Sequence, residues 1–217
     1  MEELGLFAVL CVIFWSTVFV LTLALFRQNI KPHLKSIIIS AFIMTQISLI
    51  TQTKLLLLGL AVLQPFFTIL CFSLFFRLRL TSAVLVSVIV LLYNLISEML
   101  MYLLITRFQL EAFVALAMEA TLLPAIFLSS LNSITALILS KMRVGFTFVQ
   151  FNRKIASTNP IYTKSLFLIM SGGLILLMAI ISSLFLVGTN SVLAYSLGTV
   201  LLIALIHYLY VKEVADT

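Results

Sequence analysis

Two carboxylates are the residues of this chain best placed to do chemistry. Glu98 and Glu119 each interrupt a long apolar run, and an ionisable side chain inside such a run is costly enough to count as a functional candidate by default. Glu98 stands seven residues before Ile105, and Glu119 six residues after Phe113, on either side of the short connection from Thr106 to Ala112. Helices joined so briefly form an antiparallel hairpin, which sets the two carboxyls at one depth, roughly 10 Å from the same end. Asn94 comes one turn before Glu98, so Asn94, Ser97 and Glu98 form a polar stripe that is predicted to face other helices. Gln64, just before Pro65, and Asn132 offer further polar lining. This pattern suits the binding of a ligand from outside. Interhelical hydrogen bonding, with packing as the only role, and proton or cation coupling are the other uses of the same residues.

Other chemistries find little support. His207 and His33 fall far from the depth of the acidic pair, so a proton relay through them is not expected. Cys11 and Cys71 each sit in an apolar stretch with no partner at metal-ligand spacing, and they read as small buried hydrophobes. No glycine-rich phosphate loop and no His-Glu-x-x-His is present. Asp216 is the only aspartate, which leaves a Ser/His/Asp triad without its third member in any span. Neither a metal nor a cofactor is expected.

The elements that must hold these residues follow from composition. The chain is 63% hydrophobic and 9% charged over 217 residues, against about 45–50% apolar and about 25% charged in a soluble domain. Cutting it wherever polar residues interrupt runs of about 20 apolar positions leaves seven segments, at residues 4–26, 36–50, 55–76, 81–105, 113–140, 165–187 and 192–211. The expected fold is all-α, a polytopic membrane protein of seven transmembrane helices forming one domain over 1–217. The first run follows Glu2 and Glu3 rather than a basic segment, so it reads as a retained span and not a signal peptide. Only Thr51-Gln52-Thr53-Lys54 separates the second and third segments, yet 36–76 is too long for one crossing, so a turn near Lys54 is required. Pro124 predicts tilt or a kink in the fifth segment, and Gly172-Gly173 close packing in the sixth.

Orientation comes from the basic residues. One face receives Arg27, Lys31, Lys35, Arg77, Arg79, Lys141, Arg143, Arg153, Lys154, Lys164 and Lys212, while the other receives Lys54 and Arg107. That asymmetry puts the N-terminus outside and the C-terminus in the cytoplasm. It also explains the pI near 9.6 without nucleic acid, since the cations sit at span ends. The one long loop, 141–164, mixes five basic residues with Phe146, Phe148, Phe151 and Tyr162. Such a segment is either an anchor on the anionic inner leaflet or a docking lever.

Seven spans, an outside N-terminus, the basic aromatic loop from Lys141 and the exit Tyr208-Leu-Tyr-Val-Lys212-Glu213-Val214 together resemble the sensor domain of peptide-pheromone receptor histidine kinases, the Agr- and Com-type quorum-sensing receptors of Gram-positive bacteria. The resemblance implies an extracellular peptide ligand, a homodimer in the bacterial cytoplasmic membrane and output through the seventh span. It also implies that this chain is the sensor of a two-component system and not itself an enzyme, the kinase module lying elsewhere. Glu98, Glu119 and Asn94 are then the expected ligand-binding residues, and His207, Tyr208 and Lys212 the expected output residues. The competing class is a small secondary transporter, or a transporter subunit, with Glu98 and Glu119 as its coupling site.

Overall fold

A computed structural model describes residues 2–53, 57–107, 109, 123–146 and 190–215. Within them the fold is helical, with no strand among the described residues. The helices are α1 (Glu2–Leu25), α2 (Leu34–Thr53, preceded by a 3-10 turn at Lys31–His33), α3 (Leu57–Leu74), α4 (Leu80–Ile105), α5 (Leu123–Met142) and α6 (Asn190–Ala215). Among the described residues, four stretches are long and apolar enough to cross a membrane: Gly5–Leu25, Lys31–Thr51, Leu80–Ile105 and Leu123–Met142. Shorter apolar stretches occupy α3 and α6. The sixth expected span, residues 165–187, lies outside the described residues, as does Gly172-Gly173.

The distribution of side chains is that of a membrane protein. Phe42, Leu74, Leu104, Leu137 and Ile203 are all exposed. Conversely, Thr22, Ser40, Thr68, Ser87 and Asn132 are fully buried. Water would penalise the first set, whereas hydrocarbon is indifferent to it and drives the second set inward. Five of the buried hydroxyls are satisfied within their own helix, among them Thr22 on the Val18 carbonyl, Thr45 on Ala41 and Ser129 on Ala125.

α2 and α3 run antiparallel, and their register is written in cross-helix pairs. The Ser36 hydroxyl donates to the Phe75 carbonyl (2.9 Å), the Thr68 hydroxyl meets Met44 Sδ (3.9 Å), and Gln64 Nε2 meets Ser48 Oγ (3.4 Å). As the position rises along α2 it falls along α3, so the chain reverses between Thr53 and Leu57. The expected single interruption at Lys54 therefore separates two helices. α2 runs further than its expected span at both ends, from Leu34 to Thr53, whereas the described α3, Leu57–Leu74, lies within the expected 55–76. Pro124 is the second described residue of α5, and the part of the expected fifth span before it, residues 113–122, lies outside the described residues. Pro65, in contrast, lies inside α3.

Around the bundle, α1 packs on α2 and α5, α2 on α3, α3 on α4, and α4 on α5 and α6. Trp15 and Phe19 of α1 and Phe72 of α3, with Phe26 and Phe76 just beyond the ends of those helices, belong to one core, with Phe19 stacked on Phe76 at 5.6 Å and edge-on to Phe72 at 5.3 Å.

Four helices end in the same way. Arg27, Arg77, Arg107 and Arg143 all have φ between 50° and 54°, the left-handed conformation that usually falls to glycine after a helix. At Arg27 the closing bonds are Gln28 N to Leu23 O (2.8 Å) and Arg27 N to Ala24 O (3.1 Å), which satisfy carbonyls the helix leaves open. Val144 N to Leu139 O (3.2 Å) repeats the outer bond at Arg143, and Arg107 N to Leu104 O (3.3 Å) the inner one at Arg107. At Arg77 the closure is one residue wider, Leu78 N to Phe72 O at 3.2 Å. A side chain in this conformation costs about 1–2 kcal/mol that glycine would not.

Candidate functional site

The polar stripe of α4 is real and is turned toward α5. Asn94 and Ser97 are buried and Glu98 is half-buried. The Asn132 amide donates from Nδ2 to Asn94 Oδ1 at 2.9 Å, while Asn94 Nδ2 donates to the Val90 carbonyl at 2.8 Å. Beside this pair the hydroxyls of Tyr93 and Thr135 lie 2.8 Å apart. Two polar ties thus hold α4 against α5 at one level. Asn94, expected as a ligand group, has its amide committed to Asn132 and to its own helix. One acceptor remains: Asn132 Oδ1 is buried with no hydrogen-bond partner.

Glu98 sits one turn from Asn94 toward the end of α4, with the Tyr102 side chain one turn further on as its polar neighbour. Asn94, Glu98 and Tyr102 thereby form a polar line along α4, of which Tyr102 was not anticipated. An i, i+4 acid and tyrosine is the signal that would have found it. Glu119 lies outside the described residues, so the acidic pair rests on the hairpin argument alone. Among the described residues no group of three or more His, Cys, Asp or Glu could hold a metal ion.

A second polar cluster ties α1, α2 and α3. Trp15 Nε1 donates to Ser48 Oγ at 3.0 Å, and Gln64 Nε2 approaches the same oxygen. Gln64 is thus a partner of the helix pair, half-buried rather than lining a space. The sole tryptophan went unremarked in the sequence because an indole in an apolar run reads as bulk; its N–H needs an acceptor once buried.

The expected output residues belong to α6, which is helical from Asn190 through Ala215 and passes Lys212 and Glu213 without a break. Leu202 and Leu205 are buried in the main core, and Tyr208 packs against it. His207 is exposed. His33 is buried in the turn before α2, its ring stacked on Phe76 at 5.9 Å. Comparison of the chain with protein-family models, curated proteins and solved structures finds no match.

Proposed function

We propose that this chain is the membrane-embedded sensor of a bacterial two-component system, which binds an extracellular peptide and passes the signal to a cytoplasmic kinase module. In this reading it has seven spans, with the N-terminus outside and the C-terminus inside, and works as a homodimer in the cytoplasmic membrane. The observation that carries the proposal is the partnership of α4 and α6. α4 bears Glu98 and Asn94, and it packs directly on α6, the helix that continues unbroken to Ala215. At 1.5 Å per residue its 26 residues extend about 39 Å, some 9 Å more than a bilayer core. A ligand that shifts α4 therefore has a short mechanical route to a rod that protrudes from the membrane.

The test is a fusion series. A kinase core is joined after Thr217 with linkers lengthened one residue at a time, and autophosphorylation is measured with candidate peptides. Output that oscillates with the helical period of about 3.6 residues supports a continuous signalling rod. Output indifferent to register, together with proton-coupled flux that disappears in Glu98→Gln and Glu119→Gln, supports the transporter instead.

A further inference from the structure

One end of the bundle is built by the closures described above. The turn after α1, the entry to α2, the α3–α4 turn and the exit from α5 are drawn together there by specific bonds. Ser36 caps Phe75, His33 stacks on Phe76, and Phe146 N donates to the Leu25 carbonyl at 2.8 Å. The last contact brings Arg27 and Arg143 to within a few residues of one shared hydrogen bond, and Ser36 does the same for Lys35 and Arg77. Lys31, Arg79 and Lys141 complete the end, and all seven cations are exposed. No acidic residue occurs in 26–36, 75–80 or 140–146, so nothing in these segments neutralises them.

We propose that this end grips the phosphates of anionic phospholipid headgroups at two paired sites, Arg27 with Arg143 and Lys35 with Arg77. The backbone supplies the argument beyond charge. Glycine would close these helices with less strain, so three arginines in the left-handed conformation at one end, Arg27, Arg77 and Arg143, are a choice of side chain against conformational preference. Each carries a guanidinium, which can chelate a phosphate through two parallel N–H bonds. Each also leaves the helix terminus at a boundary that apolar helices would place at headgroup level. The inference rests on these helices crossing a bilayer and is independent of the receptor reading.

The experiment uses the full chain, purified and reconstituted in nanodiscs of phosphatidylcholine with 30% phosphatidylglycerol or with phosphatidylcholine alone, with retained lipid counted by native mass spectrometry. The informative variant is R27G/R77G/R143G. It relieves the backbone, so it must stay folded and melt no lower than the parent, yet it must lose selective retention of phosphatidylglycerol. The expected loss is about five-fold in affinity per arginine. R27K/R77K/R143K should keep most of the attraction while losing the bidentate part. Equal retention of the two lipids by the parent overturns the proposal, as does undiminished phosphatidylglycerol preference in the glycine variant. A fusion series that fails while this selectivity persists would refute the receptor and leave the lipid site standing.

Discussion

Substitution of the Asn94–Asn132 pair should have unequal effects from its two sides. Asn94→Leu removes the acceptor of Asn132 Nδ2, so Asn132, fully buried, is left with both amide atoms unpaired. A newly stranded buried polar group costs about 1–3 kcal/mol, to which the loss of the Asn94 bond to Val90 adds little. Asn132→Leu strands Asn94 Oδ1 but also deletes the already partnerless Asn132 Oδ1, and these two effects nearly cancel. What remains is the interhelical bond itself, about 0.6 kcal/mol on average and at most about 1.7 in a membrane. The double variant strands neither group and should lie close to the parent. The expected order of destabilisation is therefore Asn94→Leu, then Asn132→Leu, then the pair together, measured by reversible unfolding in bicelles as a double-mutant cycle. An Asn132→Leu variant as unstable as Asn94→Leu would show that Asn132 Oδ1 has a partner and that the reasoning is wrong.

Gly145 has φ +153°, and a Cβ there would collide with the Leu25 carbonyl oxygen; Gly145→Ala should cost more than about 1 kcal/mol and lower the melting temperature, whereas an unchanged melt would deny the docking of this segment on α1. Trp15 is 2% exposed and is the only tryptophan, so its fluorescence should be blue-shifted in the parent and should change in Ser48→Ala, where the indole N–H loses its acceptor; a spectrum indifferent to Ser48 would contradict the bond. For topology, single cysteines at Lys54 and Asn190 in a background lacking Cys11 and Cys71 should label from outside, and one at Asn152 only after permeabilisation; external labelling at Asn152 reverses the proposed orientation.

The parts of this fold legible in the sequence are those set by hydropathy. The runs ending near Phe26, Phe76 and Ile105 and the reversal at Lys54 follow from the bilayer's thickness, and the structure places helices α1 to α4 there. Asn94 and Asn132 were each recognisable as polar residues on an inward face, but their bond required the α4–α5 register, which depends on a connection whose length does not specify it. The left-handed arginines were not legible at all. Arg27 and Arg143 were counted as charges, and no glycine marks the closures at Arg27 or Arg77. Gly145 is the exception, since it permits the approach of Phe146 to Leu25, and a lone glycine after a helix could have suggested it. The basic loop from Lys141 illustrates the difference. Its charge suggests an anchor or a docking lever, and its described part ends with the Phe146 N–H on the Leu25 carbonyl at the end of α1, the rest lying outside the described residues.

The polar bonds also divide the bundle mechanically. Trp15, Ser48 and Gln64 join α1, α2 and α3, and the Asn94–Asn132 and Tyr93–Thr135 ties join α4 to α5. A hydrogen bond between helices has one favourable geometry, so each tie resists sliding and fixes rotation. Among the described side chains of α6, Leu202 and Leu205 are buried in the core, and their apolar contacts, unlike a hydrogen bond, have no preferred direction. These described side chains of α6 impose no hydrogen-bond geometry on a slide or a rotation, while α4 is held by α5. In the proposed receptor, movement imposed near Glu98 would be resisted at the α4–α5 ties and find its softer response at α6. That asymmetry is what an output helix requires, and it makes the linker-register series the sharper measure of function than any change at the carboxylates alone.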